Sequence, residues 1–231
     1  AGVRNCLMAD RADITRSESA QNFLKAMFAL QQGDLRVTTN TLAETLNMKA
    51  PSITDMAQRL TEAGLLDYQK YQGMTLTEAG RALALKIIRR HRLIELYLVN
   101  ELGYALHEVH DEAENLEHAV SDRFVEALAA RLDDPATDPH GDPIPTASGD
   151  IEQRELDRLT DWPIRQIAVV ARIKSGNQAM LQYILDRGFY LEARVQVLDR
   201  EPFDGPITTQ VNGATHIIGH QVADCIFVEP E

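Results

Sequence analysis

Between His91 and His118 the chain sets imidazoles and carboxylates into stretches whose apolar residues recur at helical spacing, and few folds accommodate that pattern. Ala84, Ile87, Ile88, Ile94 and Leu98 follow the i, i+3, i+4, i+7 rule of one helix face, and His91 and Glu95 stand in the same stripe. A second stretch, 107–132, reads as one long helix. It carries His110, Glu114, Glu117 and His118 at offsets of zero, four, seven and eight, within roughly one 100° sector. That sector flanks an apolar stripe of Val109, Ala113, Leu116, Val120 and Phe124, continued by Ala127, Leu128 and Leu132. Ionisable groups beside a core need a partner, and a bound cation is one. Imidazole and carboxylate converging from two helices make a metal cage, and mixed nitrogen and oxygen donors suit a divalent transition metal. The competing reading is a solvated acidic face, because Asp111, Glu112 and Asp122 share the second stretch.

With 231 residues, 44% hydrophobic and 25% charged, the chain has the size and composition of a globular protein of one large or two smaller domains. Cys6 and Cys225 are too few and too distant for a disulfide framework, so a reducing, cytoplasmic setting is expected. No run of 18 apolar residues suggests a membrane span, and the first residues lack a signal-peptide layout. The chain starts at Ala1, with Met8 a possible true start. The net charge of −12 argues against nucleic acid until it is divided. Residues 1–90 hold 12 Lys and Arg against 9 Asp and Glu, a net of +3; the remainder hold 11 against 26, a net of −15. The asymmetry permits a nucleic-acid role for the first part and a cation site in the second.

Residues 1–16 are polar and without periodicity. A helix from Glu18 to Gln32 is expected from Phe23, Leu24, Met27, Phe28 and Leu30. Thr41-Leu42-Ala43-Glu44 reads as a capping box opening a second helix, and Pro51 opens a third that runs to Gly64. Two short helices joined this tightly read as a helix-turn-helix. A hairpin of 65–70 and 74–76 around Gln72-Gly73 supplies a wing, and Thr77 caps a long helix to Leu102. The third helix would enter the major groove with Lys49, Pro51, Ser52, Thr54, Asp55 and Arg59, and Lys70 in the wing would meet phosphate. The surplus apolar surface after residue 80 points to a homodimer. Asp133 to Gly149, with four prolines, is a loop; 151–159 reads as a helical turn. Beyond Trp162 come alternating runs at 164–170, 193–198, 207–211 and 225–228, with a helix from Asn177 to Gly188 and turns at Asp204-Gly205 and Asn212-Gly213. They describe a small β-barrel.

Taken together, RHRLIELYL at 90–98, VHDEAENLEHAVSD at 109–122, DPHGDPIP at 138–145 and KYQGMTLTEAGRALA at 70–84 resemble the diphtheria toxin repressor and manganese transport regulator family of metal-dependent transcriptional repressors. The resemblance spans about residues 18 to 229. It implies a mainly α fold with a small β domain. The parts are a winged helix-turn-helix domain at 17–80, a helical dimerisation and metal-binding domain at 81–150, and a C-terminal SH3-like, FeoA-like barrel at 160–231. It implies one metal site at His91, Glu95 and His110. A main activating site would use Glu114, Glu117 and His118 with a first-helix residue. That position falls on Asn22, where the family has Asp or Met, with Glu18 as the nearby substitute. Some members add ligands from the barrel; here Asn177 and Met180 depart from the expected pair, leaving Gln178. The iron branch has cysteine where this chain has Glu114 and the manganese branch glutamate, so Mn²⁺, or else Fe²⁺, is expected, two ions per subunit. The function implied is metal-activated binding of a homodimer to a pseudo-palindromic DNA operator. A dinuclear carboxylate-bridged metalloenzyme, or a DNA-binding protein with an empty structural cluster, are the alternatives for the same residues.

Overall fold

The computed structural model describes residues 14–152 and 154–231. The reading of the polar N-terminal segment, with Cys6 and Met8, falls almost wholly outside them. The chain divides into two compact units. One comprises Ala1–His91, Glu117–Val120 and Pro145–Ile151; the other comprises Arg92–Leu116, Ser121–Ile144 and Glu152–Glu231.

In the first unit, helix α1 (Glu18–Leu30) buries Ala20, Gln21, Phe23, Leu24, Ala26 and Met27. Helix α2 (Thr39–Thr45) begins earlier than the capping-box reading placed it. Thr38 is its cap, its hydroxyl accepting from the amide of Thr41, so Thr41 lies inside the first turn. Helix α3 (Ala50–Glu62) carries Pro51 in its first turn and buries Ile53, Met56, Ala57 and Leu60. Strands β1 (Leu66–Gln69) and β2 (Gly73–Leu76) form the antiparallel wing. Val37 and Met74 exchange two backbone hydrogen bonds, both 2.9 Å, which fasten the wing to the segment before α2. Only glycine fits at 73, because a Cβ there would lie 2.5 Å from the Val37 carbonyl oxygen. The winged helix-turn-helix is therefore formed around one core.

Helix α4 (Glu78–Leu102) is the long helix expected, and the Thr77 hydroxyl accepts from the amide of Gly80 at its start. The second long helix is not continuous. Helix α5 (Val109–Glu117) stops, and α6 (Asp122–Arg131) restarts behind Ser121, whose hydroxyl accepts from the Phe124 amide. The break changes the phase of the apolar stripe. Val125, Leu128 and Ala129 are buried, while Phe124 is exposed. The uncovered apolar surface of this region is thus Phe124 with Leu102 and Tyr104, not the stripe through Leu128 and Leu132.

The second unit ends in a six-stranded antiparallel sheet of order β3-β8-β4-β5-β6-β7. Its strands are β3 (Asp157–Arg158), β4 (Ile167–Ile173), β5 (Arg194–Arg200), β6 (Ile207–Val211), β7 (Ala214–Ile218) and β8 (Ile226–Pro230). Helices α7 (Gln178–Leu185) and α8 (His220–Ala223) complete it. Alternate residues point into a core of Val170, Val195, Val197, Ile207, Val211 and Val228 around Phe189. The helical turn expected at 151–159 is absent among the described residues, where Asp157 and Arg158 pair with β8 instead. Strand β7 was not foreseen; it folds back on β6 through Asn212 and Gly213, both at positive φ.

Candidate metal centre and nucleic-acid interface

In the first unit, ligand-type side chains gather on Glu117. Its side chain is fully buried, and its Oε2 lies 2.7 Å from His91 Nδ1. Its Oε1 lies 2.7 Å from Lys25 Nζ and 3.3 Å from His118 Nε2. His118 sits just beyond the last residue of α5, and its orientation follows from Gln21. The Gln21 Nε2 donates to the Thr15 carbonyl at 2.7 Å, which can only accept. Gln21 Oε1 must then be the atom 2.7 Å from His118 Nδ1, so Nδ1 carries a proton and donates. In the neutral imidazole the lone pair is left on Nε2. That nitrogen is buried without a hydrogen-bond partner. A buried ring nitrogen 3.3 Å from a carboxylate oxygen, with the other ring nitrogen bonded from behind, is the disposition of a metal-ligating histidine. The donor set therefore fits a divalent cation.

Asn22 neighbours Gln21 on α1, and its Oδ1 is buried without a hydrogen-bond partner. Glu114 stands one turn before Glu117 on α5 and is half-buried. Gln21 and Lys25, four apart on α1, were not anticipated. The available signal was two polar residues at one helical spacing beside the stripe of Phe23, Leu24 and Met27.

In the second unit the gathering point is Glu95, which is also buried. Its Oε1 lies 3.2 Å from Nδ1 of the exposed His110, and its Oε2 lies 3.7 Å from Nδ1 of His140. Glu95, Asp138 and His140 each offer one ligand atom within 4.8 Å of the others. His91 precedes Glu95 by one turn of α4. Asp138 and His140 come from the proline-rich loop and were seen only as part of a motif. Burial, then Asp142 and Glu95, push the Asp138 carboxyl up to about 6. Burial pulls the His140 imidazole down, but Glu95 and Asp138 outweigh it and hold its pKa above the usual value. The loop is fastened to the sheet. The Ile173 amide donates to the His140 carbonyl at 2.9 Å. Gly141 packs so closely that a Cβ would lie 2.2 Å from the Ala171 carbonyl oxygen. Gln178, the possible barrel ligand, donates to Asp111 at 2.9 Å. Asn177 caps α7, and the Met180 sulfur lies 3.5 Å from Cys225 Sγ.

The residues expected at DNA lie on α3, at its N-cap Lys49 and on the wing. Lys49, Pro51, Ser52, Asp55, Arg59 and Lys70 are exposed. Thr54 is half-buried and its hydroxyl donates back to the Ala50 carbonyl at 3.0 Å, leaving only its lone pairs for a partner. Lys70 sits over the ring of Tyr71, 5.0 Å from its centroid, and Tyr71 projects from the wing 93% exposed.

Three family models cover most of the chain. They are the iron dependent repressor N-terminal DNA binding domain at 16–74, the iron dependent repressor metal binding and dimerisation domain at 77–146, and the FeoA domain at 158–230. The iron-dependent repressor IdeR of Mycobacterium tuberculosis is 30% identical over 225 residues, covering 92% of this chain and 97% of that protein. The chain belongs to the iron-dependent repressor family. Among solved structures, a manganese-dependent transcriptional repressor in complex with manganese is 41% identical with a TM-score of 0.84, covering 92% of this chain and all of that one. The manganese regulator SloR is 30% identical with a TM-score of 0.73, covering 92% of this chain and 98% of that one. The family is one of metal-dependent transcriptional repressors rather than enzymes, with a DNA-binding domain, a dimerisation domain and an SH3-like FeoA domain. Among the described residues no helix is long and apolar enough to cross a membrane.

Proposed function

We propose that this chain is a cytoplasmic homodimeric repressor whose affinity for a pseudo-palindromic operator is raised by Mn²⁺, or by Fe²⁺, at two sites per subunit. The proposed main site comprises Glu114, Glu117 and His118, with Asn22 of α1. The observation that carries it is the buried Nε2 of His118, without a hydrogen-bond partner beside Glu117 and set by the Gln21 bond to Nδ1. The proposed second site comprises His91, Glu95 and His110, with Asp138 and His140 beside Glu95 as further candidate ligands to the ion. We divide the chain as 17–80 for DNA binding, 81–150 for dimerisation and metal, and 160–231 for the barrel.

Manganese is favoured over softer ions because Glu114 is a hard oxygen donor where thiolate would favour later metals. When bound, a divalent ion supplies positive charge that joins carboxylates and imidazoles from separate helices. The chain's own residues do the rest. Gln21 holds His118 in one tautomer, and His91 holds one oxygen of Glu117. Gln21 and Asn22 lie on the helix whose other residues, Phe23, Leu24 and Met27, pack in the same core as Ile53 and Leu60 of α3. A change at the ligands is thereby passed to the DNA-reading helix, as coupling between two sites requires. Lys49, Pro51, Ser52, Thr54, Asp55 and Arg59 are proposed to face the major groove, and Lys70 a phosphate. A two-fold dimer would read half-sites about one helical turn, or a multiple of it, apart.

The test is an ion count. Calorimetric titration with Mn²⁺ should give two ions per subunit for the parent, one for His118→Ala and one for Glu95→Gln. A parent that binds none, or variants that keep both, would overturn the assignment.

A further inference from the structure

Glu117, proposed above as a metal ligand, is held in an ion pair by Lys25. Glu117 has a side-chain exposure of 0%, and its Oε1 is met at 2.7 Å by the Lys25 ammonium. A buried carboxylate needs a positive partner, and leaving it alone is strongly unfavourable. Here the partner is supplied by the chain itself. The two groups are not equally trapped: Lys25 keeps 17% of its side chain exposed. A lysine in that position can lay its stem along the apolar surface and return its ammonium to water. Glu117 cannot leave. The same face of α1 sends Gln21 to His118, so the helix meets both ligands, one through a neutral amide and one through a cation.

Resting on the reading of Glu117 and His118 as metal ligands, we infer that Lys25 is a tethered cation that neutralises Glu117 in the metal-free protein and sets the metal concentration at which the regulator responds. The ammonium and a divalent cation are alternative partners for one carboxylate oxygen. Their mutual repulsion at a few ångströms means that Glu117 serves as a ligand only once Lys25 has withdrawn. A site whose cation position is filled from within releases its ion more readily than one whose carboxylate waits unpaired. The metal-free protein in turn avoids an uncompensated buried charge. Lys25 is therefore a threshold-setting residue, separate from Gln21, which orients a ligand without competing for it.

The experiment is a Mn²⁺ titration of the full-length protein, with free ion followed by electron paramagnetic resonance. Parent, Lys25→Met, Lys25→Arg and Glu117→Gln are compared. Lys25→Met should bind the Glu117-dependent ion about tenfold more tightly or better, since an opposed charge at this range has been removed. Lys25→Arg keeps the charge and should stay near the parent. In chelator Lys25→Met should melt below the parent, and Mn²⁺ should raise its melting temperature by more than it raises the parent's. Lys25→Gln carries the same expectations should Lys25→Met fold poorly. Binding by Lys25→Met and Lys25→Gln that equals the parent's or is weaker, while Glu117→Gln still abolishes one ion, overturns the role of Lys25 alone. Retention of every ion by Glu117→Gln overturns the site and the inference with it.

Discussion

Replacing Gln21 by leucine removes one hydrogen-bond acceptor from His118 and one donor from the Thr15 carbonyl, at similar side-chain volume. A buried donor left without its acceptor costs about 1–3 kcal/mol. The loss acts on the metal as well as the fold, because the Gln21 bond is what places the proton on Nδ1. Without it the imidazole can carry its proton on Nε2 and present no lone pair. Since about 1.4 kcal/mol is tenfold in affinity, Gln21→Leu should weaken Mn²⁺ binding at His118 about 10- to 100-fold, the range met when a group behind a ligand is removed. The ion bound through Glu95 should be unaffected. Calorimetry of parent and variant resolves the two events. An unchanged affinity at both would refute the argument, because the tautomer would then not depend on Gln21.

Glu114→Cys should lose Mn²⁺ response relative to Fe²⁺ or Co²⁺ in a DNA-binding titration, Glu114→Gln should weaken all three, and Glu112→Gln, about 160° away around the helix, should do little. Lys70→Ala should weaken DNA binding across sequences and lower the salt slope by about one unit; an unchanged slope would remove Lys70 from the interface. Asp138, raised from 3.8 to about 6, holds its proton more tightly folded than unfolded. Its contribution to stability is fully present below pH 3.8 and is lost as pH rises through about 6. In chelator, Asp138→Asn should therefore gain stability over the parent on going from pH 4 to pH 7, by about 3 kcal/mol at most. Denaturant melts at the two pH values check this, and a constant difference would contradict it.

The sequence made the long elements legible because their apolar faces are continuous. Helices α1, α3 and α4 lie within a few residues of their expected ends. What it concealed were breaks in phase. Val120 and Phe124 kept the helical period across 118–121, so α5 and α6 read as one; Ser121-Asp122 was the capping signal that separates them. Strand β7 was hidden because its residues are mostly exposed, leaving no alternation to read. At the site, ligands on helices stood out because polar residues interrupted a stripe. His140 and Asp138 did not, since a loop has no period against which to stand out. Gln21 and Lys25 escaped for a different reason: they serve the proposed ligands rather than resembling them, and only the folded chain shows which side chain lies behind an imidazole.

The central claim is that occupancy of the Glu117–His118 site controls DNA binding. It is tested most directly by fluorescence anisotropy on operator duplex recovered by selection from a random pool, in chelator, in Mn²⁺ and in anaerobic Fe²⁺. The parent should bind tightly only with metal, and His118→Ala should bind weakly in every condition while remaining folded. Tight binding by the parent in chelator, or metal-dependent binding by His118→Ala equal to the parent's, would contradict the account.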